Sequence, residues 1–393
     1  MMKKYILIAL TTFLCNLSFG QANIVSSLVH QTYQRNFIIH TPTGFTNLTP
    51  VPIVLMLHGG GGNMNSAQGF TNLNSVSNTN GFLAVYPEGY GVVPSGGFSW
   101  ADGRGTSADI AGIDDVGFID KLLDYLIANY SINTNKIYIC GFSNGGFMTQ
   151  RLACQLNQRF AAMASLGSIM DTTLFANCNP LRAIPMMFVM GTDDPLVPYT
   201  GGVMNSNPNP IVSMETLVNF WKMNNNCLTT SPPINLPDID PTENSTVTVF
   251  NYTNCFCNSN ISFYRINGGG HTWPGVEIPS YEIIAGQTNE DIQASVELWN
   301  FFNSHNLCNT LLSVKEETNQ TEIKIYPNPA KTELNLNISQ NDLFEVTISN
   351  LLGQILINTK NQNRIDITNL TNGVYIATIK QGQYQQTQKL IKE

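Results

Sequence analysis

The fold is decided by residues 136–146, which read KIYICGFSNGG. The apolar start of this stretch predicts a buried β-strand, and residues 145–157 have the apolar spacing of a helix. Between them lies the pattern Gly-x-Ser-x-Gly around Ser143. A serine between a strand and a helix occupies a strained turn, and glycines on either side remove side chains that would collide there. We therefore expect Ser143 to be a nucleophile at the end of a strand.

Apolar strands and helices alternate on both sides of this turn. Further strands are predicted at residues 51–57, 82–86, 186–190 and 261–266. Further helices are predicted at residues 116–130, 213–223 and 289–303. Residues 228–245 are rich in Pro, Thr and Asn, which predicts a surface loop. Strands without polar interruptions that alternate with helices indicate an α/β protein with a mostly parallel sheet covered on both faces.

An acid and a histidine follow two of the later strands. Residues 191–199 (GTDDPLVPY) contain Asp193 and Asp194, and residues 268–275 (GGGHTWPG) contain His271. A serine hydroxyl needs a base to accept its proton, and the base needs an acid to orient it. The order Ser, Asp, His, each at the end of a strand, is that of the α/β-hydrolase fold. Either aspartate is otherwise explained as a turn former.

A glycine-rich run follows the first of these strands. His58 is followed by four glycines, residues 59–62. Backbone N–H groups of such a loop stabilise the oxyanion that forms when a serine attacks a carbonyl. We assign one of these N–H groups to Gly60 and the other to Asn144, the residue after the serine. The alternatives are a flexible turn and a phosphate-binding loop, but the Gly-Lys-Ser/Thr ending of such a loop is absent.

Charged residues are few and unevenly distributed. Only 12% of the residues are charged and 42% are hydrophobic. Residues 21–320 contain 10 Lys or Arg against 21 Asp or Glu, a net charge of −11, whereas residues 321–393 contain 7 against 6. An acidic surface repels nucleic acid and anionic lipid. We therefore expect no nucleic-acid partner and a neutral or insoluble substrate.

The amino-terminal residues indicate export. Residues 1–20 are typical of a secretory signal, with Lys3 and Lys4 before an apolar run and small residues near Gly20. No later segment approaches the ~20 apolar residues of a membrane-spanning helix. We therefore expect an exported chain without a transmembrane segment.

Seven cysteines remain after the signal segment, so one is unpaired if the others form disulfides. Cys140, inside an apolar strand, is the expected free thiol. The preferred pairs are Cys154 with Cys178, Cys227 with Cys255, and Cys257 with Cys308. Zinc binding by Cys255 and Cys257 is the alternative, but no histidine lies at the spacing of a zinc finger. We expect neither a metal nor a cofactor.

The composition changes after residue 307. Residues 313–320 are polar and charged and predict a linker, and residues 321–393 contain short segments of alternating polarity. These segments predict a small all-β antiparallel sandwich, and they include no Cys or His. The expected organisation is a signal peptide (1–20), an α/β domain (21–312), the linker and the all-β domain.

The motifs of residues 33–307 together resemble the secreted polyhydroxybutyrate depolymerase and feruloyl esterase group of α/β-hydrolases. They are HGGG at residues 58–61, YPEG at 86–89, WADGR at 100–104, DDVGF at 114–118, GFSNGG at 141–146 and GGGHTWPG at 268–275. The resemblance implies that the aspartate that orients the histidine is Asp194, and not Asp193. The chain departs from the group at Asn144, where Ala is common.

Residues 321–393 resemble the C-terminal sorting domain of type IX secretion, known from Bacteroidetes. The matching segments are YPNP at residues 326–329, LLGQ at 351–354, LTNGVY at 370–375 and KLIK at 389–392. The resemblance implies that the type IX machinery is a partner and that the chain reaches the cell surface or the extracellular space. It also implies that the domain is removed after export.

These observations predict a secreted serine carboxylic-ester hydrolase. Its expected substrates are a polyester or the feruloyl or acetyl esters of plant cell walls, cleaved through an acyl-enzyme. Trp100, Tyr199 and Trp273 are candidate contacts that would stack on a feruloyl ring or a sugar, although core packing is the commoner role of an aromatic residue. Two alternatives remain open: a serine peptidase on the same fold, and a non-catalytic surface module that binds glycans.

Overall fold

The computed structural model describes residues 21–92, 97–204, 207–308, 323–338, 344–351, 353–381 and 384–393. The expected signal peptide, residues 1–20, and the expected linker, residues 313–320, lie outside the described residues. Within the described ranges, none of the helices has the length and apolar character needed to cross a membrane.

A large, mostly parallel sheet forms the centre of the chain before residue 308. The strands of this region are β1 (Ala22–His30), β2 (Tyr33–Thr41), β3 (Val51–Leu57), β4 (Leu83–Pro87), β5 (Gly91–Val92), β6 (Phe98–Ser99), β7 (Ile132–Phe142), β8 (Ala162–Leu166), β9 (Met186–Gly191), β10 (Gly202–Met204), β11 (Asn207–Ile211), β12 (Thr229–Thr230), β13 (Ile234–Asn235), β14 (Thr246–Thr253) and β15 (Ile261–Asn267). The order in the large sheet is β1-β2-β4-β3-β7-β8-β9-β15-β14-β12, with β13 beside β14. The six strands from β4 to β15 in this order are parallel neighbours, and the strands outside them pair antiparallel.

Helices cover both faces of this sheet. They are α1 (Met64–Phe70), α2 (Leu73–Asn80), α3 (Ser107–Ile110), α4 (Asp115–Asn129), α5 (Asn144–Gln155), α6 (Thr172–Asn177), α7 (Met214–Asn224), α8 (Pro279–Ala285) and α9 (Ala294–Asn303). Successive residues of β3 point to opposite faces. Leu55 belongs to an apolar cluster with α4, α5 and α7, and Val54 belongs to another with α2 and α9. The predicted mostly parallel sheet flanked by helices is confirmed.

The structure contains elements that were not predicted from the sequence, among them the strands β1, β8 and β14 and the helices α1, α2, α6 and α8. β8 is not among the predicted strands because its sequence, AMASL, has small residues and no β-branched one. The helix expected from residue 289 begins at Ala294, and Asn289 Nδ2 instead donates to Glu243 Oε1 across a loop (2.9 Å). The predicted loop at residues 228–245 contains the two short edge strands β12 and β13.

A buried ion pair determines the position of the start of α4. Arg35 Nη2 donates to Asp115 Oδ1 (2.5 Å), and both side chains are at most 1% exposed. The second oxygen of this carboxylate accepts from Ala101 N (2.7 Å). The neighbouring Asp114 is the N-cap residue and accepts from Gly117 N (2.9 Å). Two adjacent aspartates therefore have different roles, since one joins three segments and the other caps a helix.

The described residues after 322 form an all-β unit. Its strands are β16 (Ile325–Tyr326), β17 (Glu333–Leu336), β18 (Glu345–Ser349), β19 (Ile355–Lys360), β20 (Arg364–Asp366), β21 (Gly373–Gln381) and β22 (Tyr384–Lys392). They form two antiparallel sheets, β16-β17-β20 and β19-β18-β21-β22, whose buried apolar residues make one cluster. The predicted small antiparallel domain is confirmed.

Three disulfides lie among the described residues. They join Cys154 to Cys178, Cys227 to Cys255 and Cys257 to Cys308, which are the pairs preferred from the sequence. Cys255 and Cys257 belong to different disulfides, so neither has a thiolate available for zinc. Cys140 has a free, fully buried thiol, and burial raises its pKa.

The ion pair of α4 predicts unequal effects of two neighbouring substitutions. Asp115→Ala should lower the free energy of unfolding by about 3–5 kcal/mol, because it leaves a buried guanidinium without its partner. Asp114→Ala removes a helix cap and an exposed contact with His30 Nε2 (3.0 Å), and should cost about 1 kcal/mol. Urea unfolding of the oxidised protein measures both values. Equal losses in the two variants would contradict the structural role given to Asp115.

Candidate active site

Ser143 occupies a sharp turn between β7 and α5. Its backbone angles are φ 53° and ψ −122°, a conformation that costs free energy for a residue with a side chain. A Cβ on Gly141 would lie 2.1 Å from Gly145 O, and a Cβ on Gly145 would lie 2.3 Å from Leu57 O. Only glycine fits at these two positions. The half-buried Ser143 is thereby held at the end of its strand by close contacts of the backbone.

His271 and Asp194 form a buried pair in the loops that follow β15 and β9. His271 Nδ1 donates to Asp194 Oδ2 (2.6 Å), and both side chains are at most 1% exposed. Asp194 Oδ1 accepts from Leu196 N (2.8 Å) and Val197 N (2.7 Å). These bonds orient the imidazole and select the tautomer in which Nε2 carries no proton. The exposed Asp193 instead accepts from the Thr192 hydroxyl.

The serine turn and the histidine meet around Phe142. The ring centres of Phe142 and His271 are 4.9 Å apart. A Cβ on Gly167 would lie 3.2 Å from His271 Cε1, and the preceding residue, Leu166, accepts from Ser143 N (2.9 Å). Within the described residues, Ser143 Oγ forms no hydrogen bond with His271. Contacts between a candidate nucleophile and a candidate base are often long without substrate and shorten when it binds.

The glycine run after β3 packs against the serine turn. A Cβ on Gly59 would lie 3.4 Å from Ser143 Cβ, and one on Gly60 would lie 3.6 Å from Asn144 Cβ. Asn144 is the first residue of α5, so its N–H has no acceptor within the helix. The two residues assigned to an oxyanion site from the sequence therefore lie side by side next to Ser143.

His58, at the start of the glycine run, has a structural role. Its Nδ1 donates to Gly59 O (2.7 Å) and its Nε2 accepts from Gly89 N (2.9 Å). Burial lowers the pKa of His58 to about 4, so the ring is neutral at neutral pH. Because both ring nitrogens are bonded, His58 is not available as a base for Ser143.

The side chain of Asn144 connects α5 to the loop after β6. Asn144 Oδ1 accepts from Trp100 N (2.7 Å), and Asn144 Nδ2 donates to Asp102 Oδ2 (2.6 Å). Trp100 Nε1 donates to His58 O (3.0 Å), and Arg104 pairs with the buried Asp102 (2.6 Å). One polar network therefore joins the glycine run to the start of α5. The sequence analysis missed this role, for which the only signal is Asn in place of the common Ala.

A cavity of about 180 Å³ lies beside Ser143. Its walls include Phe142, which precedes the serine, and Thr272, which follows the histidine. Gly60 and Trp273 also line it. This position makes the cavity a candidate binding site for part of a substrate.

Of the three aromatic residues proposed as substrate contacts, Trp273 is the one that lines this cavity. Trp100 is fully buried and has no surface to offer a ligand. Tyr199 lines a separate cavity with Glu215 and Arg265. The structure therefore does not support substrate contacts by Trp100 or Tyr199. The packing of the loops places both residues away from this cavity, and no local sequence pattern indicates that packing.

Two protein families match separate parts of the chain. Residues 46–222 match the phospholipase/carboxylesterase family. Residues 324–393 match the secretion system C-terminal sorting domain. The second match coincides with the all-β unit and indicates export by type IX secretion to the cell surface or the extracellular space.

Several esterases are similar in sequence. Feruloyl esterase B of Piromyces equi is 27% identical over 242 residues, which are 60% of this chain and 42% of that protein. Feruloyl esterase C of Emericella nidulans is 26% identical over 211 residues, 53% of this chain and 68% of that protein. The bifunctional acetylxylan esterase/xylanase XynS20E of Neocallimastix patriciarum is 29% identical over 167 residues, 42% of this chain and 22% of that protein. The chain thus spans between 22% and 68% of the length of these relatives.

Among solved structures, the acetyl xylan esterase from Aspergillus awamori is 13% identical, and the match covers 71% of this chain and 99% of that chain with a TM-score of 0.45. The carboxylesterase match contains the strand, turn and helix around Ser143, and the six parallel strands form the sheet expected of that fold. The chain therefore has the α/β-hydrolase fold, with a match to the phospholipase/carboxylesterase family over residues 46–222 and a secretion-system C-terminal sorting domain over residues 324–393.

Proposed function

We propose that the chain hydrolyses feruloyl or acetyl esters of plant cell-wall polysaccharides, with Ser143, His271 and Asp194 as its catalytic triad. The observation that carries this proposal is the strained Ser143 turn at the same edge of the sheet as the buried His271–Asp194 pair. The names of the relatives, feruloyl esterase and acetylxylan esterase, support the choice of substrate class. The negative charge of residues 21–320 suits a neutral polysaccharide ester.

The first half of the reaction forms an acyl-enzyme. Ser143 Oγ attacks the ester carbonyl carbon while His271 Nε2 accepts the hydroxyl proton, and Asp194 stabilises the imidazolium. The carbonyl oxygen becomes an oxyanion that accepts hydrogen bonds from the N–H groups of Gly60 and Asn144. The bond to the alcohol oxygen then breaks, the alcohol takes the proton from His271, and the acyl group stays on Ser143.

The second half releases the acid. A water molecule attacks the acyl carbonyl carbon and gives its proton to His271. The second tetrahedral intermediate breaks its bond to Ser143 Oγ, which regains the proton from the imidazolium. The products are a carboxylic acid and the free enzyme.

The proposal predicts that Ser143→Ala lowers the hydrolysis of p-nitrophenyl acetate by about 10⁴-fold or more, because the nucleophile is lost. Circular dichroism should show an unchanged fold. The wild-type enzyme is then tested on feruloyl-arabinose, acetylated xylan, hydroxybutyrate oligomers and a peptide anilide. Release of ferulate or acetate supports the proposal. Preferred cleavage of the anilide would favour a peptidase, and failure to react with an active-site phosphonate would favour a glycan-binding module.

The choice of acid predicts a contrast between two adjacent aspartates. Asp194→Asn should lower kcat by about 10⁴-fold, because an amide cannot hold the imidazole in the required tautomer. Asp193→Asn should change kcat little, because the exposed side chain bonds to no described residue except the neighbouring Thr192. Both are measured on p-nitrophenyl acetate. A severe loss in Asp193→Asn with a mild one in Asp194→Asn would reverse the assignment.

We also propose that the esterase domain ends near residue 312 and works without the sorting domain. The buried apolar cluster of the all-β unit consists of its own residues, and the residues assigned to the active site all precede it. A chain ending at Asn309 keeps Cys308 and should retain near-full turnover of soluble esters when purified. In the native host it should fail to reach the outer surface. A folded, truncated enzyme with little turnover would show that the C-terminal part contributes to catalysis.

A further inference from the structure

The short helix α8 forms part of the wall of the cavity beside the serine turn, and it is attached to the histidine loop. His271 N donates to Ala285 O, the last residue of α8, over 2.6 Å. A Cβ on the preceding Gly270 would lie 2.2 Å from the same oxygen. The backbones of α8 and of the histidine loop are therefore in direct contact, and the position of one determines the position of the other.

The side chain of Tyr281 lies on the face of α8 that meets the histidine loop. Residues four apart in a helix are neighbours on one face, and Tyr281 precedes Ala285 by four residues. Tyr281 lines the cavity together with Phe142, which precedes the serine, and Thr272, which follows the histidine. Its ring therefore borders the same space as the groups proposed for the chemistry.

The hydroxyl of Tyr281 has no hydrogen-bond partner among the described residues. The side chain is half-buried, and its hydroxyl is not one of the fully enclosed polar atoms of the described residues. Burial and, after it, the nearby charge of Asp194 raise the pKa of this phenol to about 12. At neutral pH the group is therefore an uncharged O–H donor that a ligand in the cavity can reach.

The position of the histidine determines which substrate atom such a donor would meet. In a serine triad, the base that accepts the serine proton later gives it to the oxygen of the leaving alcohol, so this oxygen lies on the histidine side of the carbonyl. The carbonyl oxygen instead faces the N–H groups assigned to Gly60 and Asn144. Because Tyr281 enters the cavity from the helix attached to His271, its O–H is on the side of the leaving oxygen.

On the proposed ester hydrolysis, we propose that Tyr281 is a further catalytic residue, whose phenol donates a hydrogen bond to the oxygen of the leaving alcohol. When the first tetrahedral intermediate breaks down, the electron pair of the breaking C–O bond goes to this oxygen, and His271 Nε2 gives it a proton. Tyr281 stabilises the negative charge that develops there and keeps its own proton. The effect is largest for esters of weakly acidic alcohols, such as sugar hydroxyls, because these alcohols are the hardest to expel.

Three acetates test this assignment. Ethyl, phenyl and p-nitrophenyl acetate release alcohols of increasing acidity and leave the same acetyl group on Ser143, so kcat/KM compares only the acylation step. Tyr281→Phe keeps the ring and removes the donor. It should lower kcat/KM about 10- to 100-fold for ethyl acetate but less than about threefold for p-nitrophenyl acetate, with phenyl acetate between them.

Tyr199→Phe is the matched control, because it removes the same atom from a residue that lines a separate cavity. It should leave all three kcat/KM values unchanged. The ratios between esters do not depend on the fraction of folded enzyme, so a loss of stability in Tyr281→Phe cannot imitate the expected result. An equal loss for the three esters, or no loss, would overturn the assignment. A wild type that cleaves none of them would refute the proposed hydrolysis itself, and the assignment with it.

Discussion

The parallel pairing of β9 with β15 is the constraint on which the site depends. Asp193 N donates to Gly269 O (3.0 Å) just beyond the two strands, and a Cβ on Gly191 would lie 2.2 Å from that same oxygen. The loop after β9 and the loop after β15 therefore pack backbone against backbone, with no side chain between them. Because of this contact, Asp194 and His271 lie within one hydrogen bond although 77 residues separate them along the chain.

Around the serine turn, buried polar groups hold several backbone segments in place. The loop from Trp100 to Arg104 is attached through Asn144, Asp102 and the Arg35–Asp115 pair. Charges taken out of water need both partners, and the loss of one is costly. The residues proposed for chemistry and the residues that support them therefore differ in kind. A residue of the proposed triad would act on a substrate, whereas a residue of this network holds the backbone that carries the N–H groups assigned to the oxyanion site.

Much of the fold follows from local pattern. The apolar strands and the loops after them placed Ser143, His271 and Asp194 at one edge of a parallel sheet, and the period-two segments after residue 321 indicated a separate antiparallel unit. β8 escaped prediction because a strand buried between two others needs no β-branched residue if small side chains fill the space. In such places the neighbouring strands select the structure, and local propensity does not.

The roles of single aromatic and polar side chains were harder to predict. Trp100 and Trp273 are both tryptophans in recognisable motifs, yet one is enclosed by the polar network and the other faces a cavity. Whether a tryptophan is enclosed or faces a cavity depends on loops that are distant in sequence. The role of the Asn144 side chain was hard to predict for the same reason, since its hydrogen-bond partners at residues 100 and 102 are more than forty positions away.

The disulfide between Cys257 and Cys308 fastens the carboxyl end of the esterase part to a point 51 residues earlier in the chain. The helix α9 ends only five residues before Cys308. A pulling force applied beyond Cys308 therefore passes into a covalent bond, and not into the hydrogen bonds of the last helix. Proteolysis beyond Cys308 likewise leaves a new chain end, and the disulfide prevents this end from unfolding back into α9. The disulfide therefore protects α9 from unfolding when the tail is pulled or removed.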